Sequence, residues 1–317
     1  MRSRFSFFVV YVVVFYLASN FLTWAQNAHR TSDFPVPPSR PGPQGAVPGS
    51  SGAAAPEPEA GSVESGLYRN DYFGLSYPLL DGWREDYKGP IPSSSGIYSL
   101  LSLRPQDDLN GTLVISAQDW FFDSRSLGGA LKSLRQQQHD LGEMFQVERV
   151  AVAQKIGSSQ FARLDYSGAG LIHANLAIDV RCHTLNFNIT SRNPKVIERL
   201  VQTLSQITFP VNAASGGGKY PICVKDYATG SNVIHFVDPE EAAPKFTSVP
   251  VRIVIDEAGK VKHIHVISAF PAQARNIEEA LAQWTFKPYM QNGQAVEIET
   301  GLLFEFPPRH PNASNFH

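Results

Sequence analysis

Charge is scarce in this chain: 27 Lys and Arg against 29 Asp and Glu in 317 residues leave a net charge of −2. Such a balance offers no large basic field for nucleic acid and no polybasic patch for an anionic membrane surface. Cysteine is scarcer still. Cys182 and Cys223 are too few for a disulfide scaffold, and their spacing fits no zinc motif. Catalytic signatures are missing too: there is no G-x-S-x-G elbow, no H-E-x-x-H pair and no dinucleotide glycine fingerprint. The run ending in Gly218-Lys219 lacks the first glycine of a phosphate loop, where Ala213 stands, and Tyr220 follows in place of Ser or Thr. No catalytic residue, metal or cofactor is assigned from these patterns, and the expectation is a protein that is not an enzyme.

Long apolar runs are absent except at the start. Arg2 and Arg4 precede Phe5 to Ala18, and the segment stays hydrophobic to Ala25. Basic start, apolar middle and the small residue Ala25 before Gln26 form the order of a secretory signal. Read instead as a span, residues 5–25 are long enough to cross a bilayer, with the arginines keeping the N-terminus cytoplasmic. Either reading of residues 1–25 exports the body of the chain, which meets membrane only through this segment if it is not cleaved. Residues 26–66 are rich in Pro and Gly and poor in aliphatic side chains, so they are expected to form a disordered linker. About 40 residues at polyproline rise reach on the order of 120 Å.

From Leu67 the composition turns globular. Strands are expected at 112–117, 146–152, 160–166, 171–178 and 184–190, with helices over 126–145 and 195–207. Ser126 is a candidate helix cap, and Asn193-Pro194 stands where the second helix should start. Short links between strands predict an antiparallel sheet with helices on its faces over residues 67–211. Residues 212–218, with three consecutive glycines, read as a linker to a second domain at 219–308, and 309–317 as a tail.

In that second domain Val251, Ile253 and Ile255 alternate with Arg252 and Val254, and Gly259 supplies a turn. Val261 to Ile267 completes a hairpin. Ile277, Leu281 and Trp284 form the apolar stripe of a helix over 272–284, and Asn292-Gly293 turns into a last strand, 296–306. The order is strand, strand, helix, strand. His263 and His265 share one strand face and could pinch a metal, but no third ligand has a recognisable spacing, so they read as the solvent side of the hairpin. Trp284, Phe286 and Tyr289 read as packing of the helix end onto the sheet. Asp119-Trp120-Phe121-Phe122-Asp123 reads as a loop over the sheet of the first domain.

Asp256, Gly259, Val261, Trp284, Phe286, Pro288, Asn292, Gly293 and Val296 together resemble the TonB C-terminal domain family. Ala295 departs from the family's usual proline. The opening YRNDYFGLSYPLLDGW and the closing helix KVIERLVQTLSQITF resemble PsbP-type domains. The expected fold class is therefore α+β: a PsbP-like antiparallel sheet with helices, followed by a small TonB-like ββαβ domain. The first resemblance implies a bacterial protein of the periplasm or cell envelope, anchored in the inner membrane if the N-terminal segment is retained. It also implies a protein partner, an outer-membrane transporter, gripped by strand addition. The resemblance further implies an energy-transducer-like role in TonB-dependent outer-membrane transport, a role weakened by the apolar run's lack of a histidine, since His29 falls outside it.

The residues expected to form the partner-binding edge are Val296, Ile298, Thr300, Gly301, Leu302, Leu303 and Phe304. The competing outcomes are an edge that pairs with itself in a homodimer or is covered by residues 219–237. Cys182 and Cys223 either bridge in an oxidising compartment, closing a loop of about 40 residues worth roughly 4 kcal/mol, or stay apart as two thiols. The alternative function is a periplasmic small-ligand carrier or enzyme with its pocket in the first domain.

Overall fold

A computed structural model describes residues 57–307 apart from segments 87–91, 94, 107–110, 123–128 and 210–219. The N-terminal apolar segment, residues 26–56 of the proline-rich stretch, Asp123, the Ser126 cap, the Gly-rich linker and the tail lie outside the described residues. Among those described, no helix is long and apolar enough to cross a membrane.

The fold is α+β and mostly sheet. Strands β1 (Ser62–Glu64), β2 (Leu67–Asn70) and β3 (Leu75–Pro78) form a small antiparallel sheet. Residues 57–66, expected in the linker, thus belong to the fold. Val63 packs on the core, and Asn70 Nδ2 donates to the Pro58 carbonyl at 2.7 Å. Seven strands follow: β4 (Trp83–Glu85), β5 (Ile97–Pro105), β6 (Gly111–Asp119), β7 (Gln146–Ile156), β8 (Ser159–Gly168), β9 (Leu171–Val180) and β10 (His183–Ser191). They form one antiparallel sheet in the order β4-β5-β6-β10-β9-β8-β7. Strand β5 was not among the expected strands, because a bulge between Ser99 and Leu101 breaks its alternation.

Helices α1 (Gly129–Asp140) and α2 (Pro194–Thr203) cover opposite faces of this sheet. Ala162 and Leu164 of β8 join Ala130 and Leu134 of α1, whereas Phe161 joins Ile197 and Leu200 of α2. That is the period-two alternation of a strand buried on both sides. Both helices are shorter than expected. The second ends at Thr203 and continues as one 3-10 turn, while Asn193 caps its start by accepting from Lys195 N.

The remaining elements are β11 (Ile222–Cys223), β12 (Val233–His235), β13 (Ser248–Ile255), β14 (Val261–Val266), α3 (Pro271–Leu281), β15 (Thr285–Phe286), β16 (Met290–Gln291), β17 (Gln294–Ala295) and β18 (Ile298–Glu305). A four-stranded sheet runs β11-β18-β13-β14, with β11 parallel to β18 and the other pairs antiparallel. Val249, Val251, Ile253 and Ile255 point to a core shared with Ile277 and Leu281 of α3. Trp284 lies past the helix end and, with Phe286 and Tyr289, packs on that core.

Most of the other face of this sheet is covered, while Leu303 and Glu305 on it are exposed. Ile267 packs into the core of the first sheets, and His265 stacks on Tyr98 with centroids 6.1 Å apart. The expected solvent position of the hairpin histidines is corrected here: His265 is buried against Tyr98 and Glu59, and His263 is half-buried. Alternation shows that two faces differ, but not that the polar one meets water.

Candidate functional site

Strand β18 is where the expected edge residues gather, and backbone direction sorts them. Ile222 N donates to the Glu297 carbonyl and Val224 N to the Glu299 carbonyl, each at 3.0 Å. Phe306 N donates the other way, to Thr247 O just before β13. Backbone groups of odd-numbered residues therefore point away from β13, and those of even-numbered residues toward it. Gly301, Leu303 and Glu305 direct their amides and carbonyls outward, beyond the end of β11. Among the described residues no strand pairs with them there. The remaining candidates do not form a free edge. Val296 precedes the strand and donates to Tyr289 O. Ile298 pairs with β11 and is fully buried. Thr300 is buried and accepts from Tyr227 N on its hydroxyl. Leu302 and Phe304 pair with Val251 and Val249, with side chains on the core. Among the described residues, 220–227 thus cover the first half of the edge, and none pairs with the second half.

Beneath the covered half lies a sealed cluster of charges that the sequence reading did not find. Arg252, 2% exposed, is in register with His265 on one side and Gly301 on the other. Its Nη1 lies 3.2 Å from Asp119 Oδ2 and its Nη2 lies 2.6 Å from Glu299 Oε1, while Nη1 also contacts the His183 ring. Asp119 and His183 are wholly buried. Glu299 is a buried partner of Arg252 that also accepts from Tyr72 OH. Burial pushes the Asp119 carboxyl up to about 6, against the pull of Arg252 and the Phe121 N–H. Burial, followed by the Arg252 charge, holds His183 well below the usual histidine range. Burial works against the Arg252 charge, but Asp119 and then Glu299 overcome it and keep the guanidinium protonated.

Gly301 has a steric role at this contact. A methyl group there would collide with Phe121 and Phe122, so the bare backbone is what lets the loop after β6 lie on β18. That loop packs on the sheet of its own domain, as expected, through Phe122 and through Trp120 Nε1, which donates to the Thr184 hydroxyl, and it also meets the C-terminal sheet, with the Arg252 guanidinium 5.4 Å from the Phe121 ring.

Cys182, in the turn between β9 and β10, is disulfide-bonded to Cys223 of β11, with Cα atoms 5.6 Å apart. One further donor set converges nearby: ligand atoms of Glu57, Glu59 and His265 lie within 4.8 Å of one another. They could hold a cation. His265 Nε2 and Glu59 Oε1, 3.2 Å apart, already form an ion pair. Burial opposes the His265 charge, but the Glu59 carboxylate raises its pKa.

Residues 241–308 match the family of the Gram-negative bacterial TonB protein C-terminal. Among solved structures, the chain is similar to cyanobacterial PsbP (CyanoP) from Synechocystis, at 16% identity and a TM-score of 0.32, covering 53% of this chain and 99% of that one. It is also similar to a Bacteroides thetaiotaomicron protein, at 16% identity and a TM-score of 0.29, covering 46% of this chain and 47% of that one. A third is LpqN, involved in cell envelope biogenesis of Mycobacterium tuberculosis, at 16% identity and a TM-score of 0.28, covering 43% and 83%. No curated protein matches the chain.

Proposed function

We propose that this is a non-enzymatic protein-binding component of a Gram-negative cell envelope, exported by its N-terminal segment. Its C-terminal sheet captures an extended segment of a partner by strand addition on β18. The observation that carries this reading is the open half-edge, Gly301 to Glu305, within a segment matching the TonB C-terminal family. An added strand would gain backbone hydrogen bonds from Gly301, Leu303 and Glu305, and the half-exposed Leu303 side chain offers an apolar contact beside them. The family resemblance makes an outer-membrane transporter the favoured partner. The domain of β4 to β10 holds the C-terminal sheet through the Arg252 cluster and serves as a rigid, PsbP-like mount.

A carrier or enzyme reading finds less support, because Asp119 and His183, a buried titratable pair of that domain, have no exposure through which a substrate could reach them. The test is capture of outer-membrane proteins from solubilised Gram-negative envelopes by the immobilised chain and by its Leu303→Pro variant. The expected result is a transporter retained by the wild type and lost from the folded variant. Equal capture by both would remove this edge from the function.

A further inference from the structure

The strand covering half of the β18 edge carries the cystine, and that coincidence has a consequence for the binding reading above. Strand β11 is two residues long and holds β18 by the Ile222 and Val224 amides. So short a parallel strand has little stability of its own. Two anchors fix it. Downstream, Tyr227 donates its hydroxyl to Lys287 O at 2.6 Å. On β11 itself the anchor is the bond from Cys223 to Cys182, which lies in the buried turn before β10.

We infer that the Cys182–Cys223 disulfide is a redox latch on the partner-binding edge: oxidised, it holds β11 on β18, and reduced, it releases β11 and lengthens the free edge from Gly301–Glu305 to Glu297–Glu305. The inference rests on the strand-capture reading. The release adds the outward groups of Glu297 and Glu299 to those a partner strand can use.

The chemistry is thiol–disulfide exchange with a dithiol, the class of reductant this step requires. One thiolate of the dithiol attacks Sγ of Cys223, the less buried of the two residues, and the S–S bond breaks with Cys182 as leaving group. The second thiolate of the reductant then displaces Cys223. The dithiol ends as a disulfide, and the cystine has gained two electrons and two protons. Glu299 Oε2, 3.3 Å from Cys182 Sγ, is placed to accept a hydrogen bond from the thiol so formed. Position also matters: Cys223 lies in register with Glu299, so the latch closes at the boundary between covered and open edge.

Amide hydrogen exchange on the full chain, with and without dithiothreitol, tests the latch. On reduction the Ile222 and Val224 amides should exchange at least about tenfold faster, while the Ile253 and Ile255 amides of β13 keep their protection, the pattern of a local opening. The Cys182→Ser, Cys223→Ser double variant should behave like the reduced protein without added thiol. Unchanged protection of Ile222 and Val224 in both samples would overturn the latch, and so would loss of protection throughout β13, which would make the bond a staple for the whole fold. Envelope capture repeated with the reduced chain and with Leu303→Pro separates the two ideas. Capture abolished by Leu303→Pro but indifferent to reduction overturns the latch alone. Capture indifferent to both overturns the binding reading, and with it the latch's purpose.

Discussion

Arg252 on β13 and Asp119 at the end of β6 form an ion pair at 3.2 Å although they belong to different sheets and neither is more than 2% exposed. A guanidinium is suited to this position because its planar fork can serve Asp119, Glu299 and the His183 ring together. Its removal would leave two buried carboxylates facing each other. Arg252→Ala should therefore cost about 3–5 kcal/mol, the usual result of breaking a buried pair from one side. Urea denaturation measures this, and a loss below about 1 kcal/mol would show that the contact is not holding the sheets together.

Gly301→Ala should destabilise by about 1–3 kcal/mol, because the added methyl meets Phe121 at its Cβ, which cannot swing aside as a side-chain end could. Leu303→Ala, two residues on and half-exposed, should stay within about 0.5 kcal/mol of wild type. Thermal melts of the pair give the comparison. Equal melting temperatures would contradict the tight approach at Gly301.

Proline placed on β18 reads out backbone direction. Leu303→Pro removes an outward amide and should leave circular dichroism and cooperative unfolding near those of the wild type. Leu302→Pro removes an amide directed at β13, opposite Val251, and should disrupt the sheet. The reverse order of damage would mean that the strand faces the other way.

The pH dependence of stability should bear opposite marks from two histidines. His183 has its folded pKa lowered by burial and by Arg252, so below the ordinary 6.5 the unfolded chain takes a proton that the folded one refuses. Stability falls there on acidification. His265 has its folded pKa raised by Glu59 despite burial, so its contribution is complete below 6.5 and is lost as pH rises through the folded value. Asp119, raised from 3.8 to about 6, acts against His183 only at lower pH, where the folded state holds the extra proton. In denaturation across neutral pH, His183→Gln should flatten the acid side just below 6.5, and Glu59→Gln the alkaline side. Profiles identical to wild type would show that neither ring is held as described.

The C-terminal elements were legible in the chain because their signals are local. Alternating Val251, Ile253 and Ile255, the turn at Gly259, the helix stripe through Ile277 and Leu281 and the Asn292-Gly293 turn each depend on neighbours within a few residues. The same is true of Asn193-Pro194 at the start of α2. Local pattern could not say what covers a strand. Arg252, flanked by valine and isoleucine, has the alternation of a half-solvated strand, yet its side chain is sealed by Asp119 and His183, 133 and 69 positions earlier. His265 was misread for the same reason, since Glu59 lies 206 residues away. For β18, the sequence determined a long apolar strand without proline. Only the tertiary structure decided which half is open, because the cover comes from β11, anchored by a disulfide that spans 41 residues. Sequence specifies local geometry through short-range sterics and periodicity, whereas burial of charge and exposure of an edge are set by which distant surfaces meet.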